Sequence, residues 1–325
     1  VKVLDADLAE VCRRMRAERV AALAVHERPD LDAVGAAAGM IDLFEQLGAE
    51  ALLYVDADES LPLEDILLPR GSVVRSVPAD GRSLYALDSG SLDRLALPLS
   101  SWDGFLVNVD HHQDNTRFGD LDFVRGAASS ASELVCDIAR ALALRPSLQA
   151  AEALYAGISF DTGHFRHGST SAATLQTAAW LVSLGVEPAK LYSMLYEQGS
   201  PAALRVWGQA VANARTIAAG RGLIAVVSAA DFAAAGAGED ETEGVVDSLR
   251  SVAGVEVAAL VKEQRRGPRV RVSLRSNGFD VSAVAALRGG GGHRQAAGFS
   301  CDDAPEEVTE WLSSELERRL STGSS

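Results

Sequence analysis

The segment NVDHHQDN, residues 108–115, sets two of the chain's six histidines side by side behind an aspartate, directly after the apolar run GFLV. Other polar segments also sit where a strand or helix is expected to end: HERPDLD with His26, Asp30 and Asp32, ALDSG with Asp88, and FDTG with Asp161. Imidazoles and carboxylates are the side chains that hold divalent cations, and carboxylates crowded into one cleft repel each other unless cations are present. Together His26, Asp30, Asp32, Asp88, His111 and Asp161 offer two imidazoles and four carboxylates. That donor set suits a pair of first-row divalent ions better than Mg2+ alone, because Mg2+ seldom recruits histidine. A structural Zn2+ site would want thiolates, yet Cys12, Cys136 and Cys301 lie far apart and show no C-x-x-C spacing. Adjacent His111 and His112 must point different ways, so one is expected in a metal shell and its neighbour is left for substrate. Pro29 keeps His26 and Asp30 from sharing a helix face, and Asp30 and Asp32 read as diverging from an extended segment. Taken singly, each aspartate has a plain alternative as a turn former or helix cap. Their joint order is what points to a site.

Groups so distant in sequence converge where strands of a parallel sheet end together. VAALAV at 20–25 reads as a fully buried strand that breaks into the Pro29 loop and then enters the helix AVGAAAGMIDLFEQLG. ALLYV at 51–55, SLYAL at 83–87 and GFLVNV at 104–109 repeat the pattern, which predicts an α/β fold with a parallel sheet covered on both faces. From 129 to 198 the pattern is mainly helical, so 1–198 is expected to be the catalytic domain with flanking helices. Residues 199–220 read as a helical linker, and 221–325 as a smaller α/β domain with a mixed sheet, RRGP at 265–268 being a hairpin turn. In that domain LRGGGGHRQAAG follows a helix, unlike a dinucleotide fingerprint, which follows a first strand. Gly289, Gly290, Gly291 and Gly292 expose amides beside His293 and Arg294, as an anion-binding loop would. Arg275 in SLRSNG offers a guanidinium fork that matches a phosphate.

The chain has 325 residues, 30 Lys plus Arg against 45 Asp plus Glu, and a formal net charge of -15. Such acidity argues against a broad footprint for long duplex nucleic acid, whereas a small anionic substrate remains compatible where cations invert the local field. The charged amino end lacks the apolar core of a signal peptide and no run reaches the length of a membrane span. With three scattered cysteines, the sequence reads as a cytoplasmic protein with no membrane partner.

HERPDLDAVGA, ALDSG, VDHH, the aspartate of FDTGHFRH and GGGGHRQAAG together resemble the DHH phosphoesterase superfamily, in the branch with a glycine-rich DHH-associated second domain. Within it the chain looks like the bifunctional oligoribonuclease and 3′-phosphoadenosine-5′-phosphate (pAp) phosphatase group, the nanoRNases, some of which act on pApA or cyclic di-AMP. The resemblance implies two divalent cations, Mn2+ before Mg2+ or Co2+. His26, Asp30 and Asp88 would hold one, and Asp32, Asp88, His111 and Asp161 the other, with Asp88 shared. It further implies that His112 meets the scissile phosphate, that Asp110 orients the imidazoles, and that Arg166 steadies its loop or a substrate phosphate. Arg275, His293 and the glycine run would hold the distal part of the substrate. Ala36 stands where the family often has serine. Short RNA, pAp, pApA or cyclic di-AMP are the implied partners, and a homodimer the implied assembly. A RecJ-like exonuclease would need further nucleic-acid-binding domains and a basic path, and a family II pyrophosphatase matches less well at the carboxyl end. A non-catalytic module sensing an adenine dinucleotide would not require both Asp88 and His112.

Overall fold

A computed structural model describes residues 5–77, 81–97, 99, 102–242, 244–264 and 267–322. The chain divides into two units, Val1–Leu195 and Tyr196–Ser325, each with its own six-stranded sheet. The first unit runs α1 (Ala6–Ala17), β1 (Val20–Val25), α2 (Leu31–Gln46), β2 (Glu50–Tyr54), α3 (Glu64–Leu67), β3 (Val73–Val74), β4 (Leu84–Leu87), β5 (Leu106–Asp110), β6 (Leu121–Val124), α4 (Ala131–Leu142), α5 (Leu148–Asp161), α6 (Ala172–Ser183) and α7 (Pro188–Tyr196). Its strands lie in the order β3-β2-β1-β4-β5-β6 and every pairing is parallel. In this doubly wound order the connections leave in opposite directions from the neighbours β1 and β4, so a crevice opens at the carboxyl ends of those two strands.

β4 and β5 are buried along their whole length and β1 from Ala21 onward, which is why they read as unbroken apolar runs. Tyr85 of β4 packs edge-on against Phe44 of α2, with ring centroids 5.2 Å apart. Ala22, Ala24, Leu84 and Ala86 pack instead with Leu95 and Leu97, from the chain that leads into β5, and with Leu106, the first residue of β5. β3 has only two residues and β6 is half-buried at Leu121 and Asp122, so neither carries the apolar run that marks the other strands.

The helix expected from Ala33 begins at Leu31. Asp30 caps it, Oδ1 accepting from Asp32 N (2.8 Å) and Ala33 N (3.2 Å). Asp32 therefore lies in the first turn of α2, not on the extended segment expected for it; Pro29 precedes the cap and costs the helix nothing there. α2 and α5 cross at glycines: a Cβ on Gly35 would stand 2.4 Å from Ala153 O, and one on Gly157 2.8 Å from Asp32 Oδ1.

The second unit holds α8 (Pro201–Ala212), β7 (Arg215–Ile217), β8 (Gly222–Val227), α9 (Ala229–Ala235), α10 (Val245–Arg250), β9 (Val257–Glu263), β10 (Val270–Ser276), α11 (Ser282–Ala285), β11 (Gly291–His293), β12 (Ala296–Cys301) and α12 (Pro305–Thr322). Its sheet, ordered β11-β12-β10-β9-β8-β7, is mixed: β8 and β9 pair in parallel, the rest antiparallel. Alternate residues feed two cores. Ile224, Val257 and Ala259 pack with Leu312 and Leu316 of α12, while Ala225, Ala258 and Leu260 pack with Val206 of α8, Phe232 and Val246. The stretch 199–220, read above as a linker, thus supplies a core helix and the edge strand β7 to this unit. β9 and β10 form the antiparallel pair expected around RRGP, although Arg265 and Arg266 of that turn lie outside the described residues.

Candidate active site

Each polar segment named above emerges where an element of the first unit stops. His26 follows β1, Asp88 follows β4, Asp110 ends β5 with His111 and His112 beyond it, and Asp161 ends α5. His26, Asp30 and Asp88 bring ligand atoms within 4.8 Å of one another, and so do Asp32, His111 and Asp161, and Asp88, Asp110, His111 and His112. His26 Nδ1 donates to the Glu27 carbonyl at 2.8 Å, because a carbonyl can only accept. That leaves Nε2 as the ligand atom, 3.5 Å from Asp88 Oδ2 and 4.0 Å from Asp30 Oδ2. His111 Nε2 faces three carboxylates at once: Asp161 Oδ2 at 3.1 Å, Asp88 Oδ1 at 3.3 Å and Asp32 Oδ2 at 3.9 Å.

Asp32 is fully buried and aims its carboxylate at the start of α4, accepting from Ala131 N (2.6 Å) and Ser132 N (2.9 Å). A helix amino terminus is the natural seat for such a charge. Asp88 takes a left-handed backbone (φ 55), uncommon for a residue with a side chain, and its Oδ1 is a buried oxygen without a hydrogen-bond donor among the described residues. Asp110, expected to orient the imidazoles, binds His112: Oδ1 accepts from His112 Nδ1 at 2.7 Å.

Burial pushes Asp32 well above the ordinary carboxylate range, and Asp88 and Asp161 push it further. Burial and the same two neighbours raise Asp30 to about 6. His111 is raised to about 11, the contacts with Asp161 and Asp88 outweighing a burial that acts the other way, and Asp88 lifts His26 to about 8 against the same opposition. Asp88 falls to about 2 because His111 and His26 overcome its burial. Four carboxylates and two imidazoles thus converge where positive charge is favoured. The donor set is nitrogen and oxygen, with an unsatisfied carboxylate oxygen at its centre, and so fits first-row divalent ions.

Arg166 is exposed and its Nε donates to Gly163 O of its own loop (2.7 Å). In the second unit, Arg275 donates to Leu274 O (3.1 Å) and has Nε 3.6 Å from Asp247 Oδ1. The glycine run is partly strand. Gly289 is left-handed (φ 69), Gly290 abuts Gly298 O, and Gly291, Gly292 and His293 pair with β12, so that Arg294 sits in a tight exposed turn. Sequence reasoning missed the α4 amides that hold Asp32, Gly157 beside it, and Asn115, whose Nδ2 donates to Asp110 Oδ2 at 2.6 Å. Gly157 carried a signal: it stands one helical turn before Asp161, on the same face of an apolar helix.

Residues 21–158 match the DHH family, N-terminal domain, and residues 221–322 match the DHHA1 domain. The chain belongs to the DHH family of phosphoesterases, in the branch that carries a DHHA1 domain. Over 304 residues it is 33% identical to the bifunctional oligoribonuclease and PAP phosphatase NrnA of Thermus thermophilus, covering 91% of this chain and 90% of that one. It is 25% identical to the protein of the same name from Bacillus subtilis, over 86% of this chain and 89% of that one. With the cyclic-di-AMP phosphodiesterase GdpP of Geobacillus thermodenitrificans it shares 27% identity over 86% of this chain and 44% of the other. The fold is that of an exopolyphosphatase-related protein from Bacteroides fragilis, with a TM-score of 0.87 at 20% identity over 99% of both chains. RecJ of Thermus thermophilus, solved in complex with Mn2+, gives a TM-score of 0.55 at 12% identity, over 99% of this chain and 56% of that one. No helix among the described residues is long and apolar enough to cross a membrane.

Proposed function

We propose that this phosphoesterase works on very short nucleotides. It releases 5′-mononucleotides from short oligoribonucleotides, removes a phosphate from pAp, and cleaves pApA or cyclic di-AMP by the same hydrolysis. The observation that carries this reading is the near full-length likeness, at 33% identity, to the bifunctional oligoribonuclease and PAP phosphatase of Thermus thermophilus. In the proposed site His26, Asp30 and Asp88 hold one divalent cation, and Asp32, Asp88, His111 and Asp161 a second, Mn2+ being the expected ion. When bound, such a pair supplies Lewis-acid charge and a water acidic enough to attack phosphorus near neutral pH.

The chain's own groups do the rest. Asp110 fixes the His112 ring through Nδ1 and raises its pKa, which favours the protonated ring; Nε2 is then the donor that meets a phosphoryl oxygen as charge develops there. Asp88, with Oδ2 facing His26 and Oδ1 facing His111, stays ionised and would be shared between the two ligand groups. Arg166 steadies the loop behind Asp161. In the second unit Arg275, the amides of Gly289 to Gly292, His293 and Arg294 take the far end of the substrate. A homodimer in the cytoplasm belongs to the same proposal. Sedimentation would test the homodimer.

The test is hydrolysis of RNAs from dinucleotides to oligomers of two dozen, beside pAp, pApA and cyclic di-AMP, with Mn2+, Mg2+ or Co2+ added to cation-free protein. Turnover should fall steeply with length. Equal turnover at all lengths would sink the short-substrate claim.

A further inference from the structure

We infer that Asn115 is a positioning residue for His112, acting through Asp110. The inference deepens the proposed hydrolysis, and its kinetic arm rests on that reading. A side-chain amide has two N–H donors and an oxygen with two acceptor places, and at Asn115 all four are used. Nδ2 donates to Asp110 Oδ2 (2.6 Å) and to Ser89 O (3.1 Å), while Oδ1 accepts from Asn108 Nδ2 (3.1 Å) and Arg117 N (2.6 Å). The orientation of the amide follows from its partners: a carboxylate and a carbonyl can face only its nitrogen, and a backbone N–H only its oxygen.

Asp110 is fully buried and has one oxygen for each neighbour. Oδ1 accepts from His112 Nδ1, and Oδ2 accepts from Asn115. A carboxylate attached through a soft torsion holds its plane only while both oxygens are engaged. Removing the Asn115 N–H leaves Oδ2 buried without that donor, so the carboxylate turns in search of another and carries the imidazole with it. The same amide grips Ser89, next to Asp88, and Thr116 N donates to Gly90 O at 2.8 Å, so the segments bearing Asp88 and His112 share one clasp. A clasp of that kind would also be expected of a purely structural loop staple, and the experiment separates the two roles.

Asn115→Ala and Asn115→Asp are made in the full chain and in a His112→Ala background. Asn115→Asp keeps the shape and the oxygen facing Arg117 N but sets a carboxylate against Asp110, so a positioning role predicts no rescue. With pApA and Mn2+, Asn115→Ala should lower kcat about 10- to 100-fold, leaving KM and Mn2+ affinity within about threefold. In the His112→Ala background the same change should lower kcat less than about twofold, because the group being positioned is gone. Equal losses in both backgrounds, or full rescue by aspartate, would overturn the inference in favour of a staple. A second arm needs no turnover. In cation-free protein the His112 Nδ1 proton, assigned by its loss in His112→Ala, should give a downfield NMR signal that disappears in Asn115→Ala; an unchanged signal would also overturn the inference. If no phosphoester is hydrolysed at all, the proposed function fails, and the NMR arm alone judges the role of Asn115.

Discussion

Gly157→Ala tests how the first unit seats Asp32. The added methyl would stand 2.2 Å from Ser132 Oγ, 2.8 Å from Asp32 Oδ1 and 3.0 Å from Asp32 Cα. The Ser132 hydroxyl can swing aside, giving up its 3.2 Å bond to Asp32 O at a cost of about 1 kcal/mol. Asp32 has no such freedom, since its Cα belongs to α2 and its carboxylate is tied to Ala131 N and Ser132 N. Overpacking of this kind costs about 1–3 kcal/mol, and replacing a helical glycine by alanine returns about 1 kcal/mol. The net expectation is a loss of about 1–3 kcal/mol, or a fall of about 2–12 °C in the first unit's unfolding temperature. Mn2+ affinity should drop about tenfold or more as the carboxylate is displaced. Scanning calorimetry of cation-free protein reads the first effect, the transition of the first unit being the one that added Mn2+ raises; titration calorimetry reads the second. Gly208→Ala in α8 is the control, because its methyl meets nothing within 4 Å, and it should gain up to about 1 kcal/mol. A Gly157→Ala protein as stable as that control, with unchanged Mn2+ affinity, would refute the dependence of Asp32 on the missing Cβ.

Asp88→Asn keeps a side chain that tolerates the left-handed backbone yet removes the shared charge; Mn2+ binding and hydrolysis should be lost while the second unit unfolds at its usual temperature. Cation-free protein should lose stability as pH rises: His26 at about 8 lies above its ordinary 6.5, so its contribution is complete below pH 6.5 and gone above about 8, a loss of about 2 kcal/mol. Asp30 acts in the same direction as it ionises through about 6, and urea titrations at pH 5, 7 and 9 would show stability falling, with constant stability refuting the protonated cluster. Mn2+ uptake should release protons at neutral pH, measurable from the buffer dependence of the binding heat. Gly290→Ala would press a methyl to within 2.2 Å of Gly298 O and should loosen β11, lowering substrate affinity without changing Mn2+ affinity.

Strands buried on both faces announce themselves, which is why β1, β4 and β5 could be read from VAALAV, SLYAL and GFLVNV. β3 and β6 could not, because each is an edge strand that its single parallel neighbour defines more than its own composition. The polar residues at strand ends stood out for the same reason, since an apolar run is seldom followed by VDHH. α2 starts earlier than its apolar pattern because Asp30 caps it; the sequence leaves a capping role open to each aspartate, and the amides of Asp32 and Ala33 select Asp30. The glycine run looked like an open loop; its pairing to Ala297 and Gly298 depends on β12 lying beside it, and no local pattern encodes that. The hold of α4 on Asp32 joins residues about a hundred positions apart, beyond any spacing rule.

That last contact has a bearing on how the protein is made. A nascent chain that has not yet delivered α4 and α5 to β1 has neither the amides that seat Asp32 nor the Asp161 that completes its group. Chelation by that group cannot guide early collapse and comes only after the unit has closed, so an ion captured there favours the finished state alone. Starvation for the metal would then be felt first as faster proteolytic turnover of the protein, before any change in how much of it is synthesised.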